Sequence, residues 1–162
     1  MTTIINLTPH ALHIRRADGS DIVIEPSGIV PRLEVSRAEC APVLCEDGVE
    51  IAVSRATFGA LTGMPETSLK CSFCGTVTVR SHFYKPFDFE HDPKWACPKC
   101  GLGKTGHDWE QVSFVVSALC AQSPELAGRN DVYAPGESLR DTSGKIIGAT
   151  GLSRINPLAG AR

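Results

Sequence analysis

Cys71-Ser72-Phe73-Cys74-Gly75 and Cys97-Pro98-Lys99-Cys100-Gly101 each place two thiols three positions apart with a glycine behind them. Two intervening residues let both sulfurs of a pair point at one ion, and the glycine lets backbone amides turn toward the thiolates. Two such turns supply four sulfur donors, the set that encloses a tetrahedral zinc ion. Four thiolates leave no open position for water or substrate, so the chemistry they offer is structural. The segment between the pairs is too short to build a core of its own, so removing the metal is expected to loosen it. His82, His91 and His107 stand at no short metal-ligand spacing from either pair and read as surface or loop histidines. Cys40, Cys45 and Cys120 complete an odd total of seven in a 162-residue chain, which is not the pattern of a small disulfide scaffold; they read as free thiols.

The two pairs are separated by 22 residues, and Trp95-Ala96-Cys97-Pro98-Lys99-Cys100-Gly101 resembles the second knuckle of zinc ribbons. The resemblance covers residues 70–104. It implies a structural zinc held by Cys71, Cys74, Cys97 and Cys100 at the end of a few short strands, and no enzymatic activity by itself. The same segment holds Lys70, Arg80, Lys85, Lys94, Lys99 and Lys104 against Asp88, Glu90 and Asp92, a local charge of +3 in a chain whose total is -2. It also holds six of the ten aromatic residues: Phe73, Phe83, Tyr84, Phe87, Phe89 and Trp95. That mixture suits stacking on exposed bases while phosphates are neutralised, so 70–104 is a candidate nucleic-acid surface. The competing reading is a small core of Phe73, Phe83 and Trp95 under solvated lysines. With acidic residues in excess elsewhere, a broad basic face for duplex DNA is not expected.

No phosphate-binding glycine loop, dinucleotide fingerprint, His-Glu-x-x-His helix or Gly-x-Ser-x-Gly elbow occurs, and no catalytic residue is assigned. The remaining candidates for ligand binding are Asn6, Thr8 and His10 near the start, Ser117, and then Arg129, Asp131 and Arg140. Arginines facing a pocket would hold a phosphate or carboxylate bidentately. Arg129-Asn130-Asp131 and Arg140-Asp141 equally suit local ion pairs and turns. His10 suits a general base, or a hydrogen-bonding role at a strand end.

The elements that must position these residues read as short strands broken by Gly, Pro and Asp-Gly turns, without a long helical period. Ile4–Ile14 reads as a strand entering a hairpin at Ala17–Ser20, followed by strands at Asp21–Glu25 and Ile29–Val35 that together make a β-meander, with Pro31 marking an edge. Val49–Val53 is a further strand and Phe58–Pro65 a glycine-rich loop. Thr76–Arg80 follows the first knuckle as a strand. Gln111–Ala121, the most apolar stretch, reads as the central strand, with a short helix over Ser117–Gln122 as the alternative. Asp131–Gly136 and a hairpin turning at Asp141–Gly144 complete the pattern, with Gly148 and Gly151 marking bulges or close backbone approach. The expected fold is mainly β, a small sandwich or barrel, with residues 1–69 and 105–162 forming one β domain and 70–104 a zinc-ribbon insert.

The outer sequence carries Asn6-Leu7-Thr8-Pro9-His10, Arg129-Asn130-Asp131-Val132-Tyr133-Ala134-Pro135-Gly136 and Arg140-Asp141-x-x-Gly144-x-Ile146-Ile147-Gly148-x-x-Gly151-Leu152, and it resembles small proteins encoded by phages and prophages. That resemblance implies a non-enzymatic binding protein: one that sequesters a small anionic nucleotide used as an immune signal, or blocks a host defence protein. Self-association into a homo-oligomer is a further expectation. No run approaches the roughly 18 apolar residues of a membrane span, and Met1–Asn6 lacks the basic start and apolar stretch of a signal peptide. A cytoplasmic location, in the host cell for a phage protein, is expected.

Overall fold

A computed structural model describes residues 2–79, 97–101 and 109–155. Its strands are β1 (Thr2–Asn6), β2 (Leu12–Arg15), β3 (Asp21–Ile24), β4 (Arg32–Leu44), β5 (Glu50–Thr62), β6 (Ser68–Cys71), β7 (Val77–Val79), β8 (Trp109–Val115), β9 (Val132–Arg140) and β10 (Ile146–Arg154). Two 3-10 turns, Cys120–Gln122 and Pro124–Leu126, lie between β8 and β9. Among the described residues, eight strands join one mixed sheet in the order β3-β2-β10-β9-β8-β6-β7, with β1 beside β8, while β4 and β5 pair only with each other. The protein is therefore mainly β, and its ladder does not close into a barrel.

The apolar run predicted to be central is β8. It pairs in parallel with β1 and β9 and antiparallel with β6. Val112, Phe114, Val115 and Val116 are all buried, as expected for a strand covered on both faces. Burying each such side chain contributes on the order of 1.5–3 kcal/mol, so this strand dominates cohesion. The strand ends at Val115, short of the expected Ala121, and the chain goes on into a 3-10 turn. Leu7, Leu61, Val112, Phe114, Val116, Cys120, Leu126 and Val132 form the core cluster, with Leu33 and Met64 packed against it.

The expected meander does not form. Asn6 and Pro26 make a single parallel bridge, and the Ser27 amide donates to the Asn6 carbonyl at 2.9 Å. Those contacts carry the chain after β3 back to β1, so residues 29–35 never add to the β2–β3 hairpin. The expected strand Ile29–Val35 begins instead at Arg32 and runs to Leu44, and the expected loop Phe58–Pro65 is largely strand β5. Likewise the run Ile4–Ile14 is two strands. The break falls at Leu7–Ala11, where Asn6 gathers the turn. Gly148 does sit at a register shift between β9 and β10, and Gly151 has a positive φ of 63°.

The strands β4 and β5, thirteen residues each, form an arm. At about 3.3 Å per residue it is roughly 43 Å long. Every residue from Glu34 to Ala60 is exposed except half-buried Cys45. Only the root is tied down: Leu33 and Leu61 join the core cluster, and the Leu61 amide donates to the Glu125 carboxylate at 2.9 Å.

Candidate metal centre and surrounding sites

Strand β6 ends at Cys71, whose ladder partner is Trp109 at the start of β8, so the central strand fixes one side of the cysteine cluster. Nearby, Lys70 Nζ lies 3.6 Å from the Glu110 carboxylate and donates to Thr3 Oγ1 at 3.3 Å, tying β6, β8 and β1 together. The chain then turns: the Gly75 amide donates to the Cys71 carbonyl and the Cys71 amide to the Thr76 carbonyl, both at 2.9 Å. The second pair repeats the first turn, with the Gly101 amide on the Cys97 carbonyl at 2.9 Å. Gly75 and Gly101 have φ of 72° and 68°, a backbone conformation that glycine adopts without steric cost. This is the local reason a glycine follows each Cys-x-x-Cys.

The four sulfurs lie within 4.8 Å of one another. Cys71 Sγ is 3.8 Å from Cys100 Sγ, and Cys74 Sγ is 3.5 Å from Cys97 Sγ. A tetrahedral ion with metal–sulfur bonds of about 2.3 Å needs sulfur–sulfur separations near 3.8 Å, so the donor set fits a metal ion. Cys71 and Cys97 are buried, while Cys74 and Cys100 are half-exposed. The thiol of Cys74 is lowered to about 6, first by the Thr76 hydroxyl, whose oxygen is 3.2 Å from the sulfur, then by the Thr76 amide. Donors aimed at a sulfur favour the thiolate, the form that ligates metal. Thr76 was not among the residues singled out from sequence; a hydroxyl two positions after a ligand cysteine is the signal that would have found it.

Among the aromatics of this segment, Phe73 is 58% exposed and forms no core over the metal ligands. Exposed Lys99 belongs to the second turn. Arg80, Lys85, Lys94, Lys104, His82, His91, His107, Phe83, Tyr84, Phe87, Phe89 and Trp95, with most of the expected 70–104 insert, lie outside the described residues. Cys40, Cys45 and Cys120 are free thiols, Cys120 being buried in the core.

The other candidates occupy four local motifs. Asn6 is fully buried: its Nδ2 donates to the His10 carbonyl at 2.8 Å and the Ile24 carbonyl at 2.9 Å. Its Oδ1 accepts from the Thr8 amide at 2.8 Å and the Thr8 hydroxyl at 2.7 Å. His10 joins this clasp through its main-chain carbonyl and is itself exposed. Ser117 accepts from the Cys120 amide at 3.2 Å and so supports the first 3-10 turn.

Arg129 grips Asp131 bidentately at 2.6 and 2.8 Å, donates to the Pro65 carbonyl at 3.0 Å and lies over the Phe114 ring. The pair borders a cleft of about 160 Å³ with Thr67, Ser68, Gln111 and Asn130. Arg140, exposed, donates to the Gly144 carbonyl at 2.7 Å within the β9–β10 turn.

Functional candidates that sequence reading passed over lie on the arm: Val43, Val49, Ile51, Val53 and Phe58, each an exposed large apolar side chain. The alternation Val49, Ile51, Val53 carried the signal. Among the described residues no helix is long and apolar enough to cross a membrane. No protein-family model, curated protein or solved structure matches the chain, so the four-cysteine cluster is the feature of the zinc-ribbon and phage-protein resemblances that stands on the geometry.

Proposed function

We propose that this chain is a non-enzymatic binding protein in which a zinc-clipped β body holds out the β4–β5 arm to a protein partner. The observation that carries this reading is the arm itself: a two-stranded ribbon, exposed from Glu34 to Ala60, bearing Val35, Val43, Val49, Ile51, Val53 and Phe58 in water. Isolated hairpins are marginal in water, and exposed apolar patches mark interaction surfaces. Zinc suits the four-thiolate set because it accepts tetrahedral sulfur ligation without redox chemistry. Its place is to hold β6, β7 and the second cysteine turn, leaving binding to the arm.

Sequestration of a small anionic nucleotide has less support. Arg129 is engaged by Asp131 and Pro65, and the cleft beside it, about 160 Å³, is smaller than the roughly 300 Å³ at which ordinary ligand pockets begin. In the phage setting suggested by the outer motifs, the protein would act by occupying a host defence protein.

Replacing residues 35–58 by a short Gly-Ser turn tests this reading. The full chain is expected to form protein–protein crosslinks, and the shortened chain to lose them while keeping one zinc per chain and a thermal midpoint near that of the full protein. An armless chain that keeps the same crosslinks would refute it.

A further inference from the structure

The geometry points to a second copy of this chain as the partner of the arm, the two arms stacking face to face and running antiparallel; the inference rests on the arm being the binding element. The β4–β5 register sorts the side chains onto two faces. Ser36 lies opposite Thr57, Ala38 opposite Arg55, Cys40 opposite Val53 and Val43 opposite Ile51, with a bulge between Cys40 and Val43 that puts the extra residue on β4. On β5 the alternation is unbroken there, so Thr57, Arg55, Val53, Ile51 and Val49 share one face. Val35 and Phe58, opposite each other, belong to the other face. The first face is therefore apolar over the outer half of the arm, at Cys40, Val43, Ile51, Val53 and Val49, and polar nearer the body.

Charge decides what can cover it. On the apolar face the inner half of the arm carries Arg55, while Arg37, opposite Ala56, Glu39, opposite Ser54, and Glu50, opposite Leu44, belong to the Phe58 face; Glu46 and Asp47 make the turn at the tip. That face is thus positive on the inner side of its apolar patch and negative toward the tip. Two arms laid tip to tip would set carboxylates on carboxylates. Laid antiparallel about a two-fold axis between the Cys40/Val53 and Val43/Ile51 rungs, they bring the Glu46–Asp47 tip of each toward Arg55 of the other. The same operation packs Cys40, Val43, Ile51 and Val53 of each copy against their counterparts. A two-fold interface must be self-complementary, and this face has opposite charges on the two sides of an apolar centre.

Sedimentation equilibrium of the full, zinc-loaded chain tests the inference. A dimer is expected at micromolar concentrations. Val53→Lys should weaken dimerisation at least tenfold while leaving zinc content and thermal midpoint unchanged, and Phe58→Ser, on the opposite face, should leave it unaltered. Arg55→Glu should also weaken it, and adding Glu46→Arg should restore it in part. A monomeric wild type overturns the inference, as does a dimer indifferent to Val53→Lys or one lost equally in Phe58→Ser. A monomer that still forms arm-dependent crosslinks to another protein overturns the second copy and leaves the arm as the binding element. Crosslinking that survives removal of the arm overturns both.

Discussion

At the tip of the β9–β10 hairpin, Asp141 Oδ1 accepts from the Ser143 amide at 2.9 Å, the Ser143 hydroxyl at 2.6 Å and the Lys145 amide at 3.0 Å. These donors favour the carboxylate and hold its pKa below the ordinary range, the Ser143 hydroxyl contributing most. A carboxyl with a depressed folded pKa contributes stability that is full above its unfolded value, near 3.9, and is lost as pH falls through the lower folded value. Ser143→Ala is therefore expected to move the Asp141 titration, followed by carboxyl carbon NMR, up toward 3.9. An unmoved midpoint would mean that the backbone amides alone set it. Residues of this kind differ in how far sequence reveals them. The four ligand cysteines were legible because two intervening residues already define their geometry. Arg129 and Arg140 read equally as anion ligands and as local ion-pair or turn residues; Arg129 is engaged by Pro65, which only the folded backbone brings alongside, while Arg140 reaches Gly144 within its own turn.

Among the strands, β10 runs parallel to β2 with so little room that a Cβ added at Gly148 would lie 2.6 Å from the His13 carbonyl oxygen. Backbone cannot yield as a side-chain tip does, so Gly148→Ala must push β10 off β2. A destabilisation of about 1–3 kcal/mol is expected in urea unfolding. Unchanged stability would show that the bulge between Ile146 and Gly148 absorbs the methyl group. The central strand and the terminal hairpin were legible from apolar runs and an Asp-x-x-Gly turn. The arm was not, for a physical reason. Pro42 and Gly59 look like chain breakers, yet each lies at a register shift of the β4–β5 ladder, where one strand carries an extra residue and the ribbon continues. The meander failed differently: its third strand had the right composition, but the Ser27–Asn6 contact redirected the chain before it began.

For the molecule as a whole, the four clustered cysteines hang from one end of β8 through the Cys71–Trp109 rung, while the other end of the strand lies deep in the core. Chelation should therefore act locally. Hydrogen exchange is expected to rise over residues 68–79 when a metal bound by the four cysteines is chelated, with β9 and β10 keeping their protection; a uniform rise across the sheet would show that the metal holds the whole fold. The path of the sheet bears on another hazard. Beyond the β1–β8 ladder, the outer side of β1 meets the chain just after β3 through the Asn6–Pro26 bridge and the end of β3 through the buried Asn6 amide. One side chain thus keeps two strand borders turned toward each other. With that amide lost, the backbone bridge would be left to hold the two borders together, and a parting of β1 from β3 would offer their unpaired backbone to a neighbouring chain, the template from which sheet-to-sheet aggregation grows. An Asn6→Ala chain is therefore expected to aggregate more readily than the unaltered protein.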